Sequence, residues 1–539
     1  MASRRLLHLL LLLLVAAMLL PVLAVLASWL PWDESGSQAM AILGEMGASV
    51  LPDYIWTTVR LCLAVTLGVV LLGLSTAAAV TLFDFPGRKL FEWALLLPLA
   101  VPAYVVAYAY TDFLQYSGPL QTQLRSLTGW EGRVFPEIRS IAGAAWVFSF
   151  ALYPYVYLLA RTALAERATH LMEAARLLGA PLSRRILEIA LPLARPAVAA
   201  GVALALMETL ADFGVSSYFG IQTFTAGIYK AWLAMDNRIA AAQLATLLLG
   251  IVALLLWLEQ RAQQRMRFVT NRRSGGFEAQ SLRLRGKNVW LAWSICSIPV
   301  LMGFVLPLLF MLRPLADDWA NLPWEKFLSW SANSIRLGVI TAVLAVGLAL
   351  LLAFSLRRMP NRVTRISVQL AGLGYAVPGA VIVVGLLLPV GWLQASLPGS
   401  SVGYWVTATS VGLVWAYLVR FCAVGLQTLQ SGYSRIPVSF DDSARMLGKT
   451  DLALLGQIHW PLLKRSCAAA ALLVLVDVMK ELPATLVLRP FNSDTLAVVA
   501  YQLARDERLG EAALPSLALV LVGLLPVLLL NRTLRVKAQ

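Results

Sequence analysis

The sequence predicts an all-α polytopic membrane protein of about 12 transmembrane helices. They form two homologous six-helix halves related by a pseudo-twofold axis along the membrane normal. Three observations predict this. First, 59% of the residues are hydrophobic and 14% charged, against roughly 45–50% and about 25% for soluble domains. Second, apolar runs near the ~20 residues needed to cross a bilayer recur along the whole chain. Third, stretches of the first half return in the second in the same order.

The first run, 6–30, follows Arg4 and Arg5 and is too long for the apolar region of a signal peptide, so it reads as a retained helix. Further runs in the first half lie at 57–83, 91–112, 140–160, 193–217 and 239–258. The second half repeats them at 289–312, 333–356, 366–393, 403–424, 465–487 and 512–531. The third and ninth runs share "AVPAYVVAYA" (Ala100–Ala109) and "AVPGAVIVVG" (Ala376–Gly385). The second and eighth share "TTVRL" and "NSIRL", which place Arg60 and Arg336 alike.

Charge orients these spans. Residues 31–56 hold Asp33, Glu34, Glu45 and Asp53 without Lys or Arg and face outside. The stretch 259–288 carries eight basic and two acidic residues and faces the cytosol, as does 355–365. Both termini are then cytosolic. The domains expected are 1–258, a basic linker 259–288, and 289–539. The net charge of +15 sits in short loops as a topology signal, which excludes nucleic acid as its reason. Cys62, Cys296, Cys422 and Cys467 show no paired spacing, and His8, His170 and His459 are scattered. Neither a disulfide framework nor a tight metal site is expected.

Two polar stretches interrupt this pattern. "EAARLLGAPLSRRILEIALP" (Glu173–Pro192) and "DSARMLGKTDLALLGQIHWP" (Asp442–Pro461) lie 269 residues apart, each between the fourth and fifth spans of its half. Arg176/Arg445, Gly179/Gly448, Ile189/Ile458 and Pro192/Pro461 pair at that one offset. A helix lying in the lipid headgroups needs amphipathicity but no fixed Gly-to-Pro spacing, so the register favours a docking element with a turn at the Gly. "GKT" at Gly448–Thr450 resembles a phosphate-binding loop, but Ser443 stands where that loop needs Gly and no strand precedes it. The chain is therefore not expected to hydrolyse ATP or to be an enzyme.

The spacing Glu-Ala-Ala, three residues, Gly, nine residues, Ile-x-Leu-Pro resembles the EAA loop of binding-protein-dependent ABC importer permeases. That resemblance implies EAA loops at 161–192 and 425–461, each docking on a cytosolic ATPase subunit. The coupling residues it implies are Glu173, Ala174, Ala175, Arg176 and Gly179, and in the second copy Asp442, Ser443, Ala444, Arg445 and Gly448. The second copy departs at Asp442, Ser443 and Trp460, and motif completeness alone ranks the first loop as the more sensitive. Two ATPase copies are implied as partners, with ATP and magnesium bound there; no cofactor is expected in this chain.

Charges within spans are functional candidates. Glu208 and Asp212 share a helix face, as do Asp477 and Glu481, and the two pairs match at the 269-residue offset. A rise of ~1.5 Å per residue puts Glu208 about 24 Å and Asp212 about 30 Å beyond Pro192, in the outer part of a substrate pathway. Four such carboxylates suit a cation. The competing reading makes them helix-end carboxylates bonded to backbone or Arg, with Lys480 neutralising Asp477.

"ADFGVSSYFGIQTFTAGIYKAW" (211–232) and "DVMKELPATLVLRPFNSDTLAVVAYQLA" (477–504) resemble the ferric-iron permeases of this family. The resemblance implies an inner-membrane protein of a bacterium, working with a periplasmic iron-binding protein; on the topology read above, loops 113–139, 219–238 and 488–511 at the outer face are its candidate docking surfaces. Iron(III) then makes transient contact with Glu208, Asp212 and Glu481. A fused thiamine permease shares the architecture and is the alternative substrate reading. A secondary transporter with the acids as proton or sodium sites is the alternative of another class.

Overall fold

The computed structural model describes residues 2–30, 38–165, 169–267 and 282–536. Residues 268–281 of the expected linker 259–288, and 166–168 of the first polar loop, lie outside the described residues.

The chain is helical throughout, apart from a two-residue parallel ladder pairing Phe83 with Leu282 and Asp84 with Arg283 among the described residues. Among the described residues, ten helices are long and apolar enough to cross a membrane. The pair Arg88–Ala100 and Ala103–Thr128, bent by 88°, makes eleven if counted as one span. This is fewer than the twelve expected, and the sequence explains the difference. The shared "AVP" steps, read above as span interiors, are breaks. Pro102 and Pro378 cap the helices Ala103–Leu114 and Gly379–Ser396, each after a short 3₁₀ turn (Leu97–Ala100 and Gly374–Ala376). A proline has no N–H for the preceding turn, and its ring clashes with the carbonyl four residues back. The expected span 465–487 is a helix, Trp460–Lys480, but Lys464, Arg465, Asp477 and Lys480 make it more polar than the other spans. It stops before Glu481 rather than running on to 487.

The described contacts divide the chain into two compact units that cut across the sequence halves. One unit comprises Met1–Met46, Ile228–Leu249 and Pro323–Val499; the other comprises Gly47–Gly227, Gly250–Leu322 and Ala500–Gln539. In the first unit, Leu11, Val15 and Met18 of the N-terminal helix enter a buried cluster with Leu352, Val368, Leu426 and Leu429 of the second half. Trp415 Nε1 donates to the Ala17 carbonyl at 3.0 Å.

In the second unit, helices Leu51–Leu82 and Leu191–Ala211 both press on Ile141–Ala163. Small residues allow it: a Cβ on Gly73 would lie 2.9 Å from the Tyr153 carbonyl oxygen, and one on Gly201 would lie 2.7 Å from Val156 Cα. Without a hydrophobic force between helices in lipid, such close backbone approach is the main source of packing energy. It also fixes the helix Leu191–Ala211, which carries Glu208, against its neighbour.

Candidate functional site

The two polar loops fold alike. Thr169–Leu177 and Val438–Met446 are nine-residue helices. Gly179 and Gly448 follow with φ of 80° and 73°. Each closes its helix with the same pair of bonds. Gly179 N–H donates to Arg176 O (3.0 Å) and Ala180 N–H to Ala175 O (3.0 Å); Gly448 N–H donates to Arg445 O (2.9 Å) and Lys449 N–H to Ala444 O (3.0 Å). This is a helix-ending motif that needs a left-handed residue. A Cβ at either glycine meets nothing within 4 Å, so backbone conformation rather than crowding selects glycine.

A short helix then starts, Leu182–Arg185 in one copy and Asp451–Leu454 in the other. Each widens into a π turn, Ile186–Ala190 and Leu455–His459, just before Pro192 and Pro461. The prolines cannot donate to Glu188 and Gln457, four residues back, so the turn expands and the helix continues. Glycine, short helix, π turn and proline all recur at the 269-residue offset.

At the tip of each loop two apolar side chains stand in solvent: Leu177 and Leu178 are 89% and 87% exposed, Met446 and Leu447 89% and 79%. Of the residues expected to couple, Glu173 and Ala175 are half-buried and Ala174 and Arg176 exposed. In the second loop Ala444 is buried while Asp442, Ser443 and Arg445 are exposed. Arg445 Nη1 lies 3.6 Å from Asp442 Oδ1.

The second loop carries a feature the motif did not reveal. Asp441, 2% exposed, is gripped by Arg357 through Nε–Oδ2 (2.6 Å) and Nη2–Oδ1 (3.0 Å). His459, fully buried, approaches Asp441 Oδ1 with Nε2 at 3.0 Å and the Tyr433 hydroxyl with Nδ1 at 3.3 Å. Burial raises the Asp441 pKa, but the hydrogen bonds from Arg357 and His459 outweigh it and hold the carboxyl below the ordinary carboxylate value.

The carboxylates of the fifth spans lie where the helices break. Leu191–Ala211 ends at Asp212, in extended geometry, and Asp212 Oδ2 accepts from Val215 N–H (2.8 Å) and Ser216 N–H (3.3 Å), opening the short helix Gly214–Tyr218. Trp460–Lys480 ends in the same way at Glu481. Its Oε1 accepts from Ala484 N–H (2.9 Å), and its Oε2 from Thr485 N–H (3.0 Å) and Thr485 Oγ1 (2.7 Å). These are N-cap bonds, satisfying donors a helix start leaves open. Arg420 Nη1 sits 3.4 Å from Glu481 Oε1, with the two side chains 12% and 2% exposed. The Tyr417 hydroxyl completes the group at 2.6 Å from Thr485 Oγ1.

Glu208 and Asp477, each one turn before its break, are half-buried. Among the described residues no three His, Cys, Asp or Glu side chains group as a metal site would require. At the ends of helices in the second unit a charged cleft of about 380 Å³ is lined by Asp112, Arg139, Asp318, Glu507, Arg508 and Glu511. It overlaps two of the expected docking loops.

Arg357, Asp441, His459 and Arg420 were missed in the sequence. A signal existed for Arg420, a charge inside an apolar run; only the carboxylates were read that way.

Apolar helices in two compact units, paired polar loops with one turn geometry, and spans broken at capped carboxylates define a polytopic transport permease. A family described as the binding-protein-dependent transport system inner membrane component matches residues 69–268. The molybdenum transport system permease ModB of Escherichia coli is 30% identical over 231 residues, 40% of this chain and 98% of the relative. The Fe(3+)-transport system permease FbpB 2 of Haemophilus influenzae is 25% identical over 486 residues, 89% of this chain and 90% of the relative. A putative 2-aminoethylphosphonate permease, PhnU, of Salmonella choleraesuis is 28% identical over 239 residues, 41% of this chain and 83% of the relative.

The chain belongs to the binding-protein-dependent ABC transport permeases. It is a multi-pass inner-membrane component that works with an ATPase and a periplasmic binding protein. It is not itself the catalytic subunit, and it carries no cofactor; ATP is bound by the ATPase.

Proposed function

We propose that this chain is a fused, duplicated six-helix permease that moves iron(III), handed over by a periplasmic binding protein, with both termini in the cytosol. The observation that carries the substrate is the extent of the likeness to the Fe(3+)-transport permease, which spans 89% of this chain. The likeness to the molybdenum permease spans 40%. A cation also suits acidic side chains at the broken spans, where an oxyanion does not.

The two loops supply one contact for each of two ATPase subunits. Leu177/Leu178 and Met446/Leu447 are the apolar tips that enter the subunit surface. Glu173 to Arg176 and Asp442 to Arg445 flank them, and Gly179 and Gly448 set the turn. The four carboxylates divide their roles. Asp212 and Glu481 hold the broken turns in shape, and Glu208 and Asp477 meet the cargo in passing. The charged cleft around Arg139 and Glu507 receives the binding protein.

Weak, transient contact fits a conduit, since tight binding slows release. The test is uptake of radiolabelled iron(III) into vesicles holding the permease with its ATPase and binding protein, with molybdate and thiamine as competitors. Uptake that needs ATP and both partners, and ignores the competitors, supports the reading. Competition by either compound moves the substrate assignment to it.

A further inference from the structure

We infer that Arg357, Asp441 and His459 form a clasp that fastens the second coupling loop to the membrane helices, and that the two ATPase contacts are therefore mechanically unequal. The inference rests on the coupling role proposed for the loops.

The clasp joins four pieces of chain. Arg357 ends the helix Trp324–Arg358, Tyr433 ends Ser410–Tyr433, Asp441 lies in the loop helix Val438–Met446, and His459 closes the π turn that leads into Trp460–Lys480. Arg357 reaches beyond the carboxylate to the carbonyls of Tyr433 (3.3 Å), Ile436 (3.0 Å) and Pro437 (3.0 Å), so one guanidinium holds both ends of the segment entering the loop. A second pair, Arg358 Nε to Asp451 Oδ1 at 2.7 Å, ties the far side of Gly448 to the same helix end. The Arg357–Asp441 pairing is planar and two-pronged, and it fixes direction as well as distance.

The first loop has the same positions and different chemistry. At the 269-residue offset, Asp441, His459 and Tyr433 correspond to Met172, Ala190 and Leu164, which are 6%, 1% and 1% exposed. Counting from the matched Arg60 and Arg336, Arg357 corresponds to Thr81. All three loop-side positions are buried in both copies, apolar in one and polar in the other. In the first loop the buried Arg185 reaches the Met172 carbonyl at 3.5 Å, longer than any hydrogen bond of Arg357, and the apolar packing at the matched positions is non-directional and lets side chains slide. A buried charge pair resists displacement, because separating it leaves charge in a low-dielectric setting. The second loop, whose motif is less complete, is thus the more firmly fastened lever, reversing the ranking that motif completeness gave.

The test uses the permease–ATPase complex in lipid nanodiscs for amide hydrogen exchange and in vesicles for iron(III) uptake per ATP hydrolysed. Asp441→Asn keeps the shape and removes the charge. Exchange is expected to quicken in 438–450 and not in 169–180, and uptake per ATP to fall about fivefold or more. Unchanged exchange in 438–450, unchanged coupling, or equal quickening of both loops overturns the clasp. Should Asp441→Asn unfold throughout, Arg357→Lys decides by the same readings, since it keeps the charge but loses the two-pronged geometry. Gly448→Asp is measured alongside. If it leaves coupling intact, the coupling role of the loops fails; if it uncouples while both clasp variants do not, the clasp alone fails.

Discussion

Glu481→Gln separates a structural carboxylate from one that meets cargo. The glutamine keeps the side-chain shape, but it removes the negative charge from beside Arg420 and turns an amide NH₂ either toward Ala484 N–H, in the Oε1 position, or toward Thr485 N–H and Thr485 Oγ1, in the Oε2 position. Breaking a buried charge pair costs ~3–5 kcal/mol, and a mispaired hydrogen bond adds about 1–3 kcal/mol. Against a typical domain stability of ~5–15 kcal/mol, that is enough to lower the amount of folded permease. Glu208 is half-buried, one turn before the break rather than at the capped turn itself, so with Glu208→Gln abundance is expected to be kept while iron uptake falls. Replacing the pair together, Arg420→Met with Glu481→Leu, removes both charges and is expected to recover abundance. Membrane abundance, ATPase stimulation and iron uptake are measured on the same membranes. Glu481→Gln at wild-type abundance with uptake abolished would refute the structural assignment. Wild-type uptake by Glu208→Gln would remove that residue from the pathway.

Gly179→Ala meets no steric contact, so its cost is that of forcing an L-residue into left-handed geometry, about 1–2 kcal/mol; uptake per ATP should fall while abundance holds, and a normal ratio argues against the turn's role. Gly179→Asp adds charge at the same site and should uncouple more strongly in the same assay. Because the Asp441 pKa is depressed on folding, its contribution to stability is present above the ordinary carboxylate pKa of ~3.9 and is lost as pH falls through the folded value. Exchange of 438–450, corrected for intrinsic rate, should stay flat from neutrality to about pH 4 and rise below it; loosening that is already complete at neutral pH would contradict the role given to Asp441. The Tyr108 hydroxyl is buried without a hydrogen-bond partner among the described residues, so Tyr108→Phe should raise stability by up to ~1–3 kcal/mol in thermal unfolding. A loss would show that the hydroxyl is satisfied in the working protein.

The loops were legible because their information is local: a glycine that must turn and a proline that must widen the helix before it act within a few residues. The spans were legible as hydropathy but not as geometry. "AVP" reads as part of an apolar run, and only the missing N–H of Pro102 and Pro378 shows that it interrupts one. Asp212 and Glu481 were found, and the competing reading, bonds to backbone and Arg, describes their contacts. The clasp was not legible. Arg357 and Asp441 are 84 residues apart, and a charge at a membrane edge looks like any topology signal until its partner is placed. The regrouping of segments from both halves into each compact unit was hidden for the same reason, since periodicity says which face of a helix is buried but not against which partner.

The central claim is that this chain converts ATP hydrolysis by a partner into iron(III) entry. The most direct measurement is iron(III) uptake into sealed vesicles containing the permease and its ATPase, with the binding protein outside and the membrane potential collapsed by an ionophore. The account expects uptake to persist with ATP and to stop when ATP, the ATPase or the binding protein is withheld. Uptake driven by membrane potential in the absence of ATP would contradict it.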